Sequence, residues 1–253
     1  MPARFFVAAS LVLTIGLAAT AALADPPDFG LTIDLSPTSI LDPRTGRHDP
    51  YGSLAVTGVM SGAFDNGVGY IFSADTILER HIWFPVLDLN YLRFSGQLNR
   101  QTDLGKVRLR ASNISVFDRR FSGLLYNLTD VSLGIDRGFD LTDELALKLA
   151  INGARRFSTA ASLDRYSVNP SASLSFSVLG LDAYLTASYS WREFVFRDRR
   201  DHFFGGGATL SRTFGDLTIG LTASVEHNRS TIRALSGTNF IIGPNFTYNV
   251  PLD

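Results

Sequence analysis

The sequence predicts an all-β fold, a transmembrane antiparallel up-and-down β-barrel of about 12 strands, and three observations carry that expectation. Apolar and polar residues alternate with period two through almost every segment after residue 24, as strands with two unlike faces require. The alternating runs are mostly about 12 to 15 residues long, whereas an ordinary strand has about 5 to 6 and a tilted crossing of a hydrocarbon core needs about 9 to 11. Tight connections alternate with longer ones, the habit of barrels whose short turns face the periplasm.

Composition narrows the class. The 253 residues carry 23 Lys plus Arg against 24 Asp plus Glu, a formal charge of -1, so no basic face offers itself to phosphates and nucleic acid is not an expected partner. There is no cysteine, which excludes a disulfide framework and thiol chemistry. Glycine (22) and phenylalanine (19) are abundant, as in aromatic strands punctuated by turns.

Residues 1–24, MPARFFVAASLVLTIGLAATAALA, combine Arg4, an apolar run from Phe5 to Ala19 and the small-x-small ending Ala22-Leu23-Ala24. This reads as a secretory signal peptide, with 25–253 forming the barrel. The runs that follow fall at about 29–36, 51–64, 68–79, 87–98, 105–117, 122–136, 143–157, 166–178, 181–196, 203–214, 216–230 and 239–250. In the eleventh, Leu217, Ile219, Leu221, Ala223 and Val225 oppose Thr218, Gly220, Thr222, Ser224 and Glu226; in the last, Phe240, Ile242, Phe246 and Tyr248 oppose Asn239, Gly243, Asn245 and Asn249. Asp65-Asn66-Gly67, Leu179-Gly180 and Gly215-Asp216 are the tight turns; 37–50, 158–165, 197–202 and 231–238 are the longer loops. An exported soluble sandwich also alternates, but its exposed face usually carries more Lys and Glu than the Ser, Thr, Gly and Asn found here.

The rims differ in charge. Most of the 21 arginines fall toward the long loops, Arg119, Arg120, Arg197, Arg199 and Arg200 among them, where the guanidinium fork suits the phosphates of outer-leaflet lipid. Asp65, Asp103, Asp136, Asp140, Asp143, Glu144, Asp182 and Asp216 gather at the tight-turn rim. Phe64, Phe157, Phe196, Phe203, Phe204, Phe214, Phe246 and Tyr248 lie near strand ends, as interfacial girdles do.

Inward positions on the last five strands are small, and the other wall is charged. Turns centred near residues 101 and 120 would set Arg93 across from Arg110 and Arg110 across from Asp130, a lumen charge row with Arg108 beside it. Such a row can select among polar solutes, or it can be a set of ion pairs filling a closed lumen. His48, His81, His202 and His227 fall near the long-loop rim, where outer-membrane lipases place a Ser-His pair. The outward neighbours of His227 nevertheless read as Phe204, Gly206, Phe240 and Ile242, with no nucleophile. No motif calls for a cofactor or metal.

The stretch Trp191 to Val250, with its Arg/Asp loop before Gly205-Gly206-Gly207, Leu210-Ser211-Arg212-Thr213-Phe214 before a tight turn and a final alternating strand, resembles the C-terminal hairpins of bacterial outer-membrane barrels. It is most similar to β-barrel porins and to the barrel portion of surface lipoprotein assembly modifiers. The final run is followed by Pro251-Leu252-Asp253 rather than a terminal aromatic, and no helical-repeat domain precedes the barrel, so the assembly-modifier role is not carried over. The resemblance implies a bacterial outer-membrane protein whose partners are outer-membrane lipid and the barrel-assembly machinery. The expected role is a small pore or passive transporter for polar solutes; the alternatives are a filled structural barrel or a lipid-modifying enzyme.

Overall fold

A strand with one oily and one polar face cannot lie in lipid with its edge groups unpaired, so the sheet must close. The computed structural model, which describes residues 26–42, 47–196 and 198–252, shows that closure. Its strands are β1 (Asp28–Asp42), β2 (Arg47–Ala63), β3 (Gly69–His81), β4 (Leu89–Thr102), β5 (Gly105–Asp118), β6 (Leu124–Thr142), β7 (Leu145–Ser158), β8 (Arg165–Val178), β9 (Leu181–Phe194), β10 (Arg200–Phe214), β11 (Leu217–Ser230) and β12 (Gly237–Val250). They follow one another around a single barrel in sequence order, and β1 pairs antiparallel with β12. The proposed export segment lies outside the described residues.

Which face is which follows from burial. Leu109, Leu133, Leu185, Leu221 and Ile242 are exposed on the outside, while their chain neighbours, mostly Arg, Ser, Thr and Gly, face the lumen. Among the described residues only five hydrophobic side chains are buried, against ten polar or charged ones. A soluble sandwich buries the opposite set, so the apolar face is solvated by acyl chains. Among the described residues no helix is long and apolar enough to cross a membrane; strands do the crossing.

Two boundaries differ from expectation. The segment 37–50, read as a loop, instead prolongs β1 and β2, which stay paired as far as Asp42↔Arg47. Pro37 and Pro50 do not break the strands: each sits opposite a β-partner, Gly52 and Ser39. Likewise β6 runs for 19 residues to Thr142, which carries Asp136 into the wall instead of leaving it at the turn rim.

The registers of β4, β5 and β6 are also corrected. The β4–β5 connection is a two-residue turn at Asp103-Leu104, closed by the Thr102↔Gly105 pair, rather than a turn centred near 101. Gly105 adopts φ 139°, and a Cβ there would come within 2.4 Å of the Asp136 carbonyl oxygen, so only glycine makes the turn this short. A register shift between Val116 and Phe117 moves the β5–β6 pairing as well. Arg93 therefore faces Ile114, Arg110 faces Gln97 and Ser132, and Asp130 faces Ser112. Both displacements are even, so all these residues keep their inward face.

The β1–β12 seam has its own constraint. Registered pairs stop at Leu35↔Phe246 and resume at Ser39↔Ile242, and the interrupted stretch contains Pro37 and Pro244, which have no amide hydrogen to give a ladder. Gly243 lies against this gap, where a Cβ would sit 2.2 Å from the Pro37 carbonyl oxygen and 2.9 Å from Thr38 Cα. Gly243→Val is expected to prevent closure and abolish the gel shift between unboiled and boiled protein, whereas Gly30→Ala, with open space around its added carbon, leaves the shift intact.

Candidate functional site

Alternation sends every second side chain of β4 to β9 into the lumen, and six of these carry charge around one cavity of about 330 Å³. Arg93 (β4), Arg110 (β5), Arg156 (β7), Arg165 (β8) and Arg192 (β9) surround it, with Asp130 (β6) as the one carboxylate in the lining; Ser112, Asn152, Ser167 and Asn169 supply hydroxyls and amides. The arginines differ in how they are neutralised.

Two are paired. Arg93 Nε and Nη2 donate to the two carboxylate oxygens of Asp75 at 3.0 and 3.1 Å, and the Thr57 hydroxyl donates to the same carboxylate at 2.9 Å. Arg156 Nε and Nη2 donate to Asp130 at 2.8 and 2.7 Å. These bidentate forks tie adjacent strands across the lumen face.

Arg110, Arg165 and Arg192 have no carboxylate within 4 Å among the described residues. Arg192 Nε donates to Ser190 Oγ at 3.0 Å and its guanidinium lies 4.5 Å from the centre of the Phe203 ring. Arg165 lies 5.8 Å from the centre of the buried Phe194 ring, whose other contact is Arg199 at 4.0 Å. Arg156 and Arg165 are direct cross-strand partners. Like charges placed opposite one another weaken a sheet, so the local pattern is one that stability alone does not favour.

The expected row is thus assembled differently. Arg93, Arg110 and Asp130 do line one cavity, but on separate rows. Arg108 lies elsewhere, 2.7 Å from Asp136, which also holds Lys148 at 2.9 Å. Arg156, Arg165 and Arg192 belong in sequence to the arginines that fall toward the long loops, yet they face the lumen; strand parity is the sequence signal that finds them. Phe203, expected in a girdle, faces inward beneath Arg192.

The rim arginines are partly engaged. Arg119 pairs with the buried Asp88 at 3.2 Å, Arg199 Nε donates to Asp201 at 2.9 Å, and Arg200 pairs with Glu193 at 3.1 Å. Arg120 is exposed, with its backbone amide donating to Asp118, and Arg197 lies outside the described residues. On the outer face His227 Nδ1 is 2.8 Å from Thr238 Oγ1, and Tyr189 Oη is 2.7 Å from His202 Nδ1. Thr238 escaped the sequence search because β12 begins at Gly237 rather than at 239. Neither histidine has a carboxylate within 4 Å among the described residues, so the hydroxyl–imidazole pairs lack the third member that orients a catalytic base. Among the described residues no cluster of three or more His, Asp or Glu is placed to hold a metal.

No protein-family model matches the sequence, and no curated protein matches it. Solved structures do match in fold. The chain is similar to a bacterial polysaccharide outer membrane secretin, at 11% identity and a TM-score of 0.52 over 87% of this chain and 98% of that one. It is also similar to the COG4313 outer membrane channel from Pseudomonas putida F1, at 11% identity and a TM-score of 0.50 over 90% and 98%. LpxR from Salmonella typhimurium aligns at 7% identity and a TM-score of 0.50 over 87% and 99%. Closed barrel, inverted burial and these likenesses agree on the fold, a transmembrane β-barrel of the outer-membrane type closed by twelve antiparallel strands.

Proposed function

We propose that the barrel is a passive outer-membrane pore or transporter for small polar solutes and that it favours anions. The observation that carries this reading is the set of three lumen arginines, Arg110, Arg165 and Arg192, around one cavity and without a carboxylate within 4 Å among the described residues. The adjoining wall, β10 to β12, presents Gly205, Gly207, Thr209, Thr222 and Asn245, small or neutral groups that leave space, with Glu226 inward opposite Gly205. A unit charge pair at 4 Å is worth about 1 kcal/mol in bulk water but about 4 kcal/mol at an effective dielectric of 20, so a confined lumen magnifies the preference. Barrel-assembly machinery and outer-membrane lipid remain the partners this placement calls for.

In planar bilayers the protein is expected to give discrete conductance steps and an anion-selective reversal potential in a salt gradient. Replacing Arg110, Arg165 and Arg192 together by Ala should lower the anion-over-cation permeability ratio by about tenfold. A silent bilayer, or selectivity unmoved by the triple substitution, would refute the reading.

One observation favours the alternative of a filled structural barrel: the pairs Arg93–Asp75, Arg156–Asp130 and Asp136 with Arg108 and Lys148 lace β3 to β7 from inside. The Asp75 side chain is only 4% exposed, so Asp75→Ala strands Arg93 and is expected to cost about 2 to 4 kcal/mol, read from urea unfolding in lipid vesicles. Asp75→Asn, which keeps an acceptor, should cost less.

A further inference from the structure

Three guanidinium groups crowd one side of the lumen cavity. Arg156, Arg165 and Arg192 stand on the consecutive strands β7, β8 and β9 and all line the same space. Arg165 pairs across with Arg156 on one side and with Phe194 on the other, which sets Arg192 two residues along β9 on the same inward face. Diagonal neighbours of this kind stand about 7 to 8 Å apart, a gap that two arginine side chains close when their tips lean toward one point.

Charge is not balanced there. Asp130 is the one carboxylate in the lining, and Arg156 already holds both of its oxygens through Nε and Nη2, as Arg93 holds those of Asp75. That leaves Arg165 and Arg192, with Arg110 farther around the wall on β5, as three positive charges over one cavity of about 330 Å³. Glu226 faces inward on β11 but does not line the cavity, and Asp201 is engaged by Arg199. Rings back the guanidinium planes: the Phe203 centre lies 4.5 Å from Arg192 and the Phe194 centre 5.8 Å from Arg165. Stacking covers one face of each plane and leaves its N–H edges to a ligand. Of those N–H groups, only Arg192 Nε has an acceptor among the described residues, Ser190 Oγ at 3.0 Å.

We infer that Arg165 and Arg192 bind the phosphate of a small phosphorylated sugar or polyol, with Arg156 completing the positive wall. The inference rests on the reading of this cavity as an anion-favouring solute site. A phosphate monoester suits the pair better than a carboxylate does. It carries a charge of about −1.5 to −2 at neutral pH and presents three oxygens in a tetrahedron, enough for two forks at once, whereas one fork fills a planar carboxylate. The remainder of the lining selects the organic part. Ser112, Asn152, Ser167 and Asn169 offer hydroxyls and amides, and only Ile114 and Ala154 are apolar, so a hydroxyl-rich body is matched and a greasy one is not. Asn169 is held in place for this, its amide donating to Asn152 Oδ1 at 3.0 Å and its Oδ1 accepting from Ser190 Oγ at 2.5 Å. A space of about 330 Å³ is at the small end for a ligand pocket, which fits one sugar unit better than a chain of them.

The test is titration calorimetry of the folded barrel in detergent micelles with glucose-6-phosphate, glucuronate and glucose, probes of one ring size that carry a phosphate, a carboxylate and no charge. Glucose-6-phosphate should bind at least about tenfold more tightly than glucuronate, and glucose should give no heat of binding. Arg165→Ala and Arg192→Ala should each weaken the phosphate ester about tenfold, to the level of glucuronate. Arg165→Lys, a point charge without a fork, should restore only part of the loss. The boiling-dependent gel shift identifies folded variants, and Arg165→Gln and Arg192→Gln serve if the Ala variants do not fold. Planar-bilayer conductance of the same protein separates this site from the pore. Conductance steps without the phosphate preference refute the site and leave the pore; a silent bilayer with the preference intact refutes the pore and leaves the site. Equal affinity for glucuronate, or folded Arg165 and Arg192 variants that bind glucose-6-phosphate as the natural protein does, would overturn the inference.

Discussion

Every backbone amide and carbonyl in the hydrocarbon must find a partner within the protein, and a sheet meets that demand only by becoming a cylinder. Here the demand converges on the β1–β12 seam, which joins the two ends of the chain's strand order. That seam is also where Pro37 and Pro244 withhold amide donors and where Gly243 must stay small against the Pro37 carbonyl. The rest depends on it: without closure there is no lumen to receive polar residues and no continuous outer wall for lipid to cover.

Closure with twelve strands then decides what the inside can hold. A barrel of about 8 strands is filled by its own side chains, and one of about 16 to 18 leaves a wide water channel. This barrel lies between, and its contents are divided accordingly: β3 to β7 carry interlocking ion pairs, while β10 to β12 line the lumen with glycine and hydroxyl residues. Arginine suits the crowded side better than lysine would. Its weakly hydrated plane can rest on Phe203 or near Phe194 when no carboxylate is within reach, as Arg192 and Arg165 do.

Strand number, sequence order of pairing and the inward or outward parity of most residues were legible in the sequence, because all three follow from a period of two and from turn-forming residues. Register was not. The Arg93, Arg110 and Asp130 row failed because register depends on where each turn is centred, and that rests on one glycine's backbone angle at Gly105 and on a bulge beyond Val116. Parity survived since the displacements were even; an odd slip would have turned every side chain to the other face. Pro37 and Pro50 misled in the opposite direction. Proline ends a central strand whose ladders are complete, but here Pro37 lies beside an interrupted seam and Pro50 lies past the last β2–β3 pair, Tyr51↔His81.

The consecutive residues Arg155 and Arg156 show how one local rule produces two unlike sites. They share a strand and a hydrogen bond, Arg155 Nη1 to the Arg156 carbonyl, yet the pleat sends one guanidinium among aromatic rings on the lipid side and the other to Asp130 in the lumen. Each is stabilised by what its own side supplies: the Phe157 and Tyr166 ring faces with the Asp164 carboxylate 3.7 Å away for Arg155, the Asp130 carboxylate for Arg156. Their neighbours follow the same division, Tyr166 opposite Arg155 and Arg165 opposite Arg156. A cation is therefore tolerated at this height on both surfaces of the wall, and the difference between a lipid contact and a lumen charge comes down to the oddness or evenness of a residue's place in its strand.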